Sequence, residues 1–244
     1  MGNVTVVLVD IGNTRTKLAF SDGESLLSVT ELPTGEFDSH LLSKPMDAWV
    51  LSSVVPAVGT MWTELLSRKA PGLTLKEVDN FDIIFDVRRK AEVGEDRLAD
   101  IEGAFYLGLK PPFITIDFGT ASVINLVTPQ HEFVGGVIGP GVMSSYECLT
   151  SKAALLKEVP LDVPEDLIGR DTKTNLESGF ILGFAFWAEG FYVRLKKQYP
   201  DLSAVLTGGA AKLIHQVIDF PAQYEPHLSL LGLLRVLELN KHLL

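Results

Sequence analysis

The chain has only one cysteine, Cys148, among its 244 residues. An intrachain disulfide is therefore excluded, and the cysteine usage favours a reducing compartment. The amino terminus, which begins with Gly2 and Asn3, has no basic region ahead of an apolar stretch, so a secretory signal is not expected. The longest apolar run, residues 180–188, is too short to cross a bilayer. These absences predict a cytoplasmic protein in which Cys148 is a small buried residue.

Basic clusters are scarce as well. The chain carries 21 Lys and Arg against 31 Asp and Glu, for a formal net charge of −10. Its one short basic run, Arg88 to Lys90, is typical of a solvated loop. Because nucleic acids and anionic membranes require a concentrated basic face, the composition predicts that neither is a partner.

Two familiar nucleotide-binding fingerprints are missing, the GxxxxGK[ST] loop of P-loop kinases and the GxGxxG turn of dinucleotide-binding folds. In their place, a different pattern occurs twice, in residues 4–20 and 113–127. It consists of an apolar strand, Asp, one apolar residue, Gly, a nearby Thr and a second apolar strand. Asp, Gly and Thr are ordinary turn residues, so two unrelated hairpins remain an alternative. Two copies half a chain apart nevertheless favour a duplicated domain.

The turns in this pattern are suited to binding phosphate. Gly12 and Gly119 allow a sharp backbone turn or the close approach of a ligand. Asp10 and Asp117 each end a buried strand, where a carboxylate needs a cation or hydrogen-bond donors. A third turn, at Gly208, joins a strand to a helix, and helix N-termini attract anions. Three such turns predict contacts with the phosphates and nucleoside of ATP.

Strands alternate with helices along both halves, which predicts an α/β layered fold. Long helical sequence is predicted over residues 174–197, where Gly179 and Gly183 lie one turn apart and suggest close helix packing.

Phosphoryl transfer also needs a cationic group and a proton acceptor. Lys17 follows Asp10 by seven residues on the returning strand, where it either reaches a phosphate or faces solvent. Asp96 begins a predicted helix and precedes Arg97, a side chain suited to anionic groups. The Asp96 carboxylate is the candidate base, with an N-terminal helix cap as its alternative role.

Seven motifs, in order along nearly the whole chain, together resemble type III pantothenate kinases of the actin-like superfamily of acetate and sugar kinases. They are DIGNTRTK (10–17), LSSVVP (51–56), GEDR (94–97), DFGTAS (117–122), GGVIGPG (135–141), GRDTxxxxxSG (169–179) and LTGGAA (206–211). The resemblance implies two duplicated ribonuclease-H-like domains, residues 1–112 and 113–244, with mixed sheets flanked by helices and ATP bound in the cleft between them. It also implies a homodimer that phosphorylates pantothenate with ATP and Mg²⁺ to give 4'-phosphopantothenate, the first step of coenzyme A biosynthesis.

The resemblance also implies roles for single residues. Its ATP-phosphate contacts fall on Asp10, Ile11, Gly12, Asn13, Thr14, Arg15, Thr16, Lys17 and Thr120, to which the turn analysis adds Gly119 and Gly208. Its proton acceptor falls on Asp96, and its pantothenate contacts fall on Gly94, Glu95, Asp96, Arg97 and Thr172, with Thr174 as a substitute for the last. Asp117 falls on a ligand of a monovalent cation, K⁺ or NH₄⁺, and Asp10 is assigned to Mg²⁺ or its water shell.

One segment departs from the family pattern. Family members usually have a Tyr, and a Pro three residues later, shortly before the GxDR motif, whereas residues 85–93 of this chain contain neither. If Phe85 is the counterpart of that Tyr, a hydroxyl that helps to hold pantothenate is missing. Two alternatives therefore accompany the main prediction: a kinase of the same superfamily acting on another small hydroxy acid, and a non-catalytic regulatory homologue of the accessory-factor type.

Overall fold

The structure is a computed structural model that describes residues 4–244, so Gly2 and Asn3 lie outside the described residues. The chain forms two compact units. Unit 1 comprises Met1–Leu109 and His227–Leu244, and unit 2 comprises Lys110–Pro226. The carboxyl-terminal segment thus packs in unit 1, while the domain division at residues 112 and 113 stays a prediction. No helix among the described residues is long and apolar enough to cross a membrane.

Unit 1 contains one mixed sheet in the order β3-β2-β1-β4-β5. Its strands are β1 (Val6–Ile11), β2 (Arg15–Ser21), β3 (Leu26–Pro33), β4 (Ala48–Ser53) and β5 (Gly72–Thr74), and a two-residue strand, β6 (Ile84–Phe85), follows along the chain. The first three strands are antiparallel, whereas β4 runs parallel to β1 and β5 runs parallel to β4. Every residue of β1 is buried, as expected for a central apolar strand.

Unit 2 repeats this topology. Its strands are β7 (Phe113–Phe118), β8 (Ala121–Val127), β9 (Glu132–Pro140), β10 (Ser203–Thr207) and β11 (Gln223–Tyr224). Within the unit they follow the order β9-β8-β7-β10-β11, with β7, β8 and β9 antiparallel and β10 and β11 parallel to β7. Both sheets therefore consist of three antiparallel strands followed by two parallel ones, which confirms a duplicated α/β fold with mixed sheets.

Seven α-helices are described. They are α1 (Pro56–Ser67), α2 (Glu95–Tyr106), α3 (Val142–Lys152), α4 (Thr172–Glu177), α5 (Gly183–Gln198), α6 (Ala211–Ile214) and α7 (Leu228–Asn240). A π-helical turn, Ser178–Leu182, joins α4 to α5, so the region predicted to be helical over residues 174–197 is helical throughout and contains one π-helical turn. A Cβ atom on either Gly179 or Gly183 would meet nothing within 4 Å. The predicted close packing at these glycines was therefore wrong.

The helices supply the cores of the two units. In unit 1, Trp62 and Leu66 of α1 are fully buried in a cluster with residues of β1, including Val7 and Val9. In unit 2, Ala185 and Ala188 of α5 belong to the buried cluster that contains Ile114, Ile116 and Phe118 of β7.

Cys148 is exposed, which corrects the prediction that it is buried. The buried residues of α3 are Val142, Tyr146 and Thr150, spaced four apart along one face. Cys148 lies halfway between the last two and therefore belongs to the opposite face of the helix.

The basic run from Arg88 to Lys90 is exposed, as predicted for a solvated loop.

Helix α7 packs tightly against α2, which explains why the carboxyl-terminal segment belongs to unit 1. A Cβ on Gly232 of α7 would lie 1.8 Å from the carbonyl oxygen of Ala99 in α2. A Cβ on Gly103 of α2 would lie 2.1 Å from the carbonyl oxygen of Leu228 in α7. Since those positions lack a side chain, the two backbones can approach each other closely.

A buried glutamate lies beside this helix pair. Glu102 of α2 has no exposed surface, and its Oε1 accepts from the backbone N–H of Asp82 at 2.9 Å. The Asp82 carboxylate also accepts from Nε of Arg235 at 2.5 Å. Burial raises the pKa of Glu102 to about 8, and the negative charge of Asp82 is the second contribution to this rise. The Glu102 carboxyl group is therefore protonated at neutral pH.

We expect Glu102→Gln to stabilise the protein at alkaline pH. An unfolded glutamate loses its proton near its ordinary pKa of 4.5, whereas folded Glu102 keeps it to about pH 8. Between these values the folded state binds more protons, so the free energy of unfolding falls as pH rises, by roughly 1.4 kcal/mol per pH unit. Gln cannot lose that proton, so the variant should lack this decline.

Urea denaturation at about pH 6 and about pH 9 measures the difference in pH dependence between the wild-type protein and the variant. The exposed Glu64→Gln serves as the control, and equal pH dependence in both variants would contradict the assignment.

Candidate active site

The turn between β1 and β2 contains most of the residues predicted to contact ATP phosphates. The N–H of Gly12 donates to the carbonyl oxygen of Arg15 at 3.0 Å, and a Cβ on Gly12 would lie 3.2 Å from that oxygen. Thr34, which follows β3, donates its hydroxyl to the carbonyl oxygen of Gly12 at 2.7 Å and its N–H to that of Thr14 at 3.1 Å. Thr34 thus stabilises the turn by two hydrogen bonds, although it lies outside the turn in the sequence. Sequence reasoning missed this residue because no motif marks it.

The side chains of this segment divide into two groups. Asn13, Thr14 and Arg15 are exposed and can contact a ligand. Ile11 and Thr16 are fully buried, Ile11 in the core of unit 1 and Thr16 with its hydroxyl 3.3 Å from that of Thr34. The side chains of these two residues therefore support unit 1 from inside, while their contact with ATP stays a prediction.

Asp10 is surrounded by polar groups of unit 1. The sheet register places it directly opposite Lys17 on β2 and beside Ser52 on β4. Directly opposed residues of antiparallel strands have neighbouring side chains on one face. Lys17 therefore lies next to the Asp10 carboxylate, at the end of the strand that leads into the turn. The Asp10 oxygens accept from the hydroxyls of Ser52 at 2.5 Å and Ser229 at 2.6 Å.

The start of α2 carries the predicted base. Gly94 occupies the N-cap position, and Asp96 lies in the first turn with Oδ1 accepting from the N–H of Arg97 at 2.8 Å. The N-cap role considered for Asp96 was therefore wrong. A Cβ on Gly94 would lie 2.4 Å from Oδ1 of Asp96, so the glycine leaves space for this carboxylate. The neighbouring Glu95 accepts from the N–H of Ser53 at 3.2 Å through Oε2.

Burial and like charges govern the ionisation of these carboxyl groups. Burial raises the pKa of Asp96, and the negative charge of Asp10 raises it further. Burial also raises the pKa of Glu95, with added repulsion from Asp96 and Asp10. The charge of Asp10 thus acts on the carboxyl groups of both Glu95 and Asp96. An acid with a raised pKa accepts a proton more readily, which suits a general base.

Unit 2 contains a second predicted site, around Asp117 near the end of β7. Gly208 has φ +94°, and a Cβ there would lie 2.2 Å from Oδ1 of Asp117. A Cβ on Gly119 would lie 3.1 Å from Oδ2 of the same residue. The carbonyl oxygen of Thr120 accepts from the N–H of Gly141 at 3.1 Å, while the Thr120 residue itself is exposed. The structure therefore brings Asp117, Gly119 and Gly208 together, with glycines on both sides of the carboxylate.

The last predicted substrate contact lies in α4. Thr172 is the first residue of this helix and is exposed. Thr174 forms a capping box with Asp171, and its hydroxyl also accepts from the N–H of Arg170 at 2.9 Å. Since the hydroxyl of Thr174 already stabilises the helix start, Thr172 is the better placed of the two for a ligand.

Large clusters of metal-ligating side chains are absent from the described part of the chain. Residues 4–244 contain no group of three or more His, Cys, Asp or Glu side chains that could hold a metal ion. Mg²⁺ sites in phosphoryl-transfer proteins commonly use only one or two carboxylates, together with water and substrate phosphates. Asp10 fits that kind of site, whereas at Asp117 the two glycines allow the backbone to approach the carboxylate closely.

Solved structures that resemble this chain share its fold. A protein from Campylobacter jejuni assigned to the Baf family of transcriptional activators superposes with a TM-score of 0.63 at 19% identity, covering 97% of this chain and 99% of that one. A ROK family glucokinase from Streptomyces griseus, solved with glucose and AMPPNP, gives a TM-score of 0.51 at 11% identity, with 95% and 98% coverage. At such low identity these likenesses concern the fold alone, a pair of actin-like, ribonuclease-H-like domains.

Sequence comparison identifies the family. The family model described as type III pantothenate kinase matches residues 6–194. A type III pantothenate kinase of Nitratidesulfovibrio vulgaris (strain DP4) is 37% identical over 251 residues, covering 93% of this chain and 95% of that protein. The family-model match includes the β1–β2 turn, the start of α2 and the Asp117 turn. The chain belongs to the type III pantothenate kinase family.

Proposed function

We propose that this protein transfers the γ-phosphoryl group of ATP to the hydroxyl of pantothenate, giving 4'-phosphopantothenate and ADP in the first step of coenzyme A biosynthesis. The observation that carries the proposal is the position of Asp96. It is a largely buried carboxylate of raised pKa, coupled to Asp10 and placed at the start of α2 in a member of this family.

Asp96 serves as the general base. The hydroxyl oxygen of pantothenate forms a bond to the γ-phosphorus, the bond from that phosphorus to the bridging oxygen of ADP breaks, and the hydroxyl proton passes to the Asp96 carboxylate. Gly94, Glu95 and Arg97 line the acceptor site, where the guanidinium of Arg97 attracts the pantothenate carboxylate. The exposed side chains of Asn13, Thr14 and Arg15 in the β1–β2 turn bind ATP phosphates. Lys17 lies beside Asp10 and adds positive charge near them.

Asp10 and Asp117 are assigned to cations. Asp10 would hold Mg²⁺ or its water shell, and the metal would neutralise charge on the ATP phosphates. Asp117 would hold K⁺ or NH₄⁺, the role that the family resemblance gives it, and Gly119 and Gly208 bring the backbone close to its carboxylate. Gly119, Thr120 and Gly208 complete the nucleotide contacts of unit 2.

A homodimer, a cytoplasmic location and the absence of nucleic-acid or membrane partners also belong to the proposal. Thr172 is kept as a pantothenate contact, since its exposed position at a helix start leaves it accessible to a substrate. The net charge of −10 argues against binding to polyanions.

The segment before α2 favours a second candidate, phosphorylation of another small hydroxy acid. The ammonium group of Lys90 lies 4.4 Å from the centre of the Phe85 ring and 3.5 Å from Oδ1 of Asp79. An aromatic ring and a cation thus stand in the segment where family members usually have the Tyr hydroxyl. This arrangement offers a different set of contacts to the acceptor.

An acceptor survey tests the proposal. ADP release is measured with MgATP and pantothenate, pantoate or a panel of sugar acids, first in potassium and then in sodium buffer. We expect release with pantothenate in potassium buffer and much less in sodium. Release with another acid alone would favour the second candidate, and binding of ATP without release would favour the regulatory alternative.

The pH dependence of the reaction should reflect Asp96. Because burial and Asp10 raise its pKa, the base becomes protonated at a higher pH than an ordinary aspartate would. We therefore expect kcat/KM for pantothenate to fall on the acid side with an apparent pKa above 3.8, the ordinary aspartate value. A pH profile at constant ionic strength measures this limb. A profile that stays flat down to the ordinary aspartate range would contradict the assignment.

A further inference from the structure

We infer that Ser52 and Ser229 form a serine clamp, a pair of hydroxyls that positions the Asp10 carboxylate for MgATP. This inference rests on the proposed function, in which Asp10 serves the phosphate end of ATP. Ser52 donates to Oδ1 at 2.5 Å, and Ser229 donates to Oδ2 at 2.6 Å. Each carboxylate oxygen thus has its own donor, and all three residues are at most 9% exposed.

The donors come from distant parts of the chain. Ser52 lies on β4, beside Asp10 in the parallel register of the sheet. Ser229 is the second residue of α7, 219 positions after Asp10, and lies beyond the stretch matched by the family model. The carboxyl-terminal helix therefore reaches the residue that precedes the phosphate-binding turn.

The chemistry of the serine clamp differs from that of a salt bridge. A hydroxyl is a neutral donor, so two serines fix the orientation of a carboxylate without cancelling its charge. An ionised carboxylate has about four lone-pair positions, and the clamp uses two of them. The remaining positions stay available for Mg²⁺ or its bound water. Orientation matters because small displacements at a phosphoryl-transfer site reduce the rate strongly.

The packing of α7 keeps Ser229 in place. The close approach of Gly232 to Ala99, and of Gly103 to Leu228, locks the first turns of α7 against α2. Helix α2 also carries Asp96 in its first turn. One helix pair thus supports both the proposed base and the serine clamp, so the carboxyl-terminal segment acts on the reaction through Asp10 as a positioning element.

Replacing Ser229 with alanine tests the inference. Hydrogen bonds to charged groups contribute roughly 1.5–3 kcal/mol, so we expect Ser229→Ala to lower kcat/KM for MgATP about tenfold to a hundredfold. The affinity for MgATP, measured by calorimetry without pantothenate, should fall as well, and more free Mg²⁺ should be needed for half-maximal activity. Ser229→Thr keeps the hydroxyl and should restore all three quantities. We expect Ser52→Ala to have the same effects as Ser229→Ala. If Ser229→Ala prevents α7 from packing, Ser52→Ala is used in its place.

Ser21→Ala is the matched control. Ser21 is also a fully buried serine of unit 1, but its hydroxyl accepts from the N–H of Gly23 and does not bond to Asp10. We expect this variant to lose thermal stability without a change in MgATP affinity. If Ser229→Ala likewise affects only the melting temperature, the hydroxyl is merely structural and the inference is overturned. Equal weakening of MgATP binding by Ser229→Ala in wild-type and Asp10→Asn backgrounds would also overturn it.

The calorimetric measurement separates the inference from the proposed function. MgATP binding requires no acceptor, so it can be followed even if pantothenate is not the substrate. If wild-type protein binds MgATP, does not phosphorylate pantothenate, and loses affinity in Ser229→Ala, then the serine clamp is supported and only the proposed acceptor is wrong.

Discussion

Asp96→Asn should lower kcat for pantothenate phosphorylation by about 10²- to 10⁴-fold, the usual contribution of a positioned general base. Asparagine keeps the shape of the side chain and an oxygen that can accept from the N–H of Arg97, but it cannot take the proton of the attacking hydroxyl. We therefore expect MgATP affinity to remain unchanged while turnover is lost. Steady-state kinetics and calorimetry on the same preparation measure the two quantities.

Glu95→Gln is the comparison variant for this experiment. Glu95 lies in the same turn of α2 and also has a raised pKa, but its Oε2 accepts from the backbone of Ser53. Its replacement should raise KM for pantothenate more than it lowers kcat. If Asp96→Asn retained normal turnover, or if Glu95→Gln had the larger effect on kcat, the base would have been assigned to the wrong residue.

Gly208→Ala should have the second large effect, on unit 2. The residue has φ +94°, where an L-residue with a side chain is strained by roughly 1–2 kcal/mol. Its Cβ would also lie 2.2 Å from Oδ1 of Asp117 and 2.6 Å from the carbonyl carbon of Phe118. Because the second contact is with backbone, it cannot be relieved by a rotamer change. Adding the usual cost of overpacking, we expect a stability loss of roughly 2–5 kcal/mol and a higher potassium requirement.

Gly209→Ala is the matched control, because a Cβ at this adjacent glycine would meet nothing within 4 Å. We expect its free energy of unfolding to stay within about 0.5 kcal/mol of the wild-type value. Urea denaturation measures the stability of both variants, and ADP release at varied potassium concentration measures the cation requirement. Equal stability and an equal potassium requirement in the two variants would show that Gly208 does not support the site around Asp117.

Local sequence patterns predicted much of the fold. The apolar runs before Asp10 and Asp117 are the central strands of two sheets with the same strand order, as the repeated motif indicated. The Gly12 and Gly119 turns follow these strands, and Asp96 lies in the first turn of a helix. All of these features depend on residues close together in the sequence, where periodicity and turn chemistry are informative.

Features that depend on tertiary contacts could not be predicted. Ser229 reaches Asp10 across 219 positions, and the carboxyl-terminal helix has no motif that marks this contact. Thr34 fixes the β1–β2 turn only because β3 returns beside it. The expected packing at Gly179 and Gly183 was wrong because small residues permit close approach but do not specify a neighbour. Cys148 was expected to be buried because cysteine usually is, whereas its position on α3 decides its exposure.

Product identification is the most direct test of the central claim. Purified protein is incubated with MgATP and pantothenate in potassium buffer, beside the Asp96→Asn variant, and the products are analysed by mass spectrometry. We expect ADP and 4'-phosphopantothenate in equal amounts with the wild-type protein, and both formed at least about a hundredfold more slowly by the variant. ADP without a phosphorylated acceptor, or phosphopantothenate formed equally by the variant, would contradict the account.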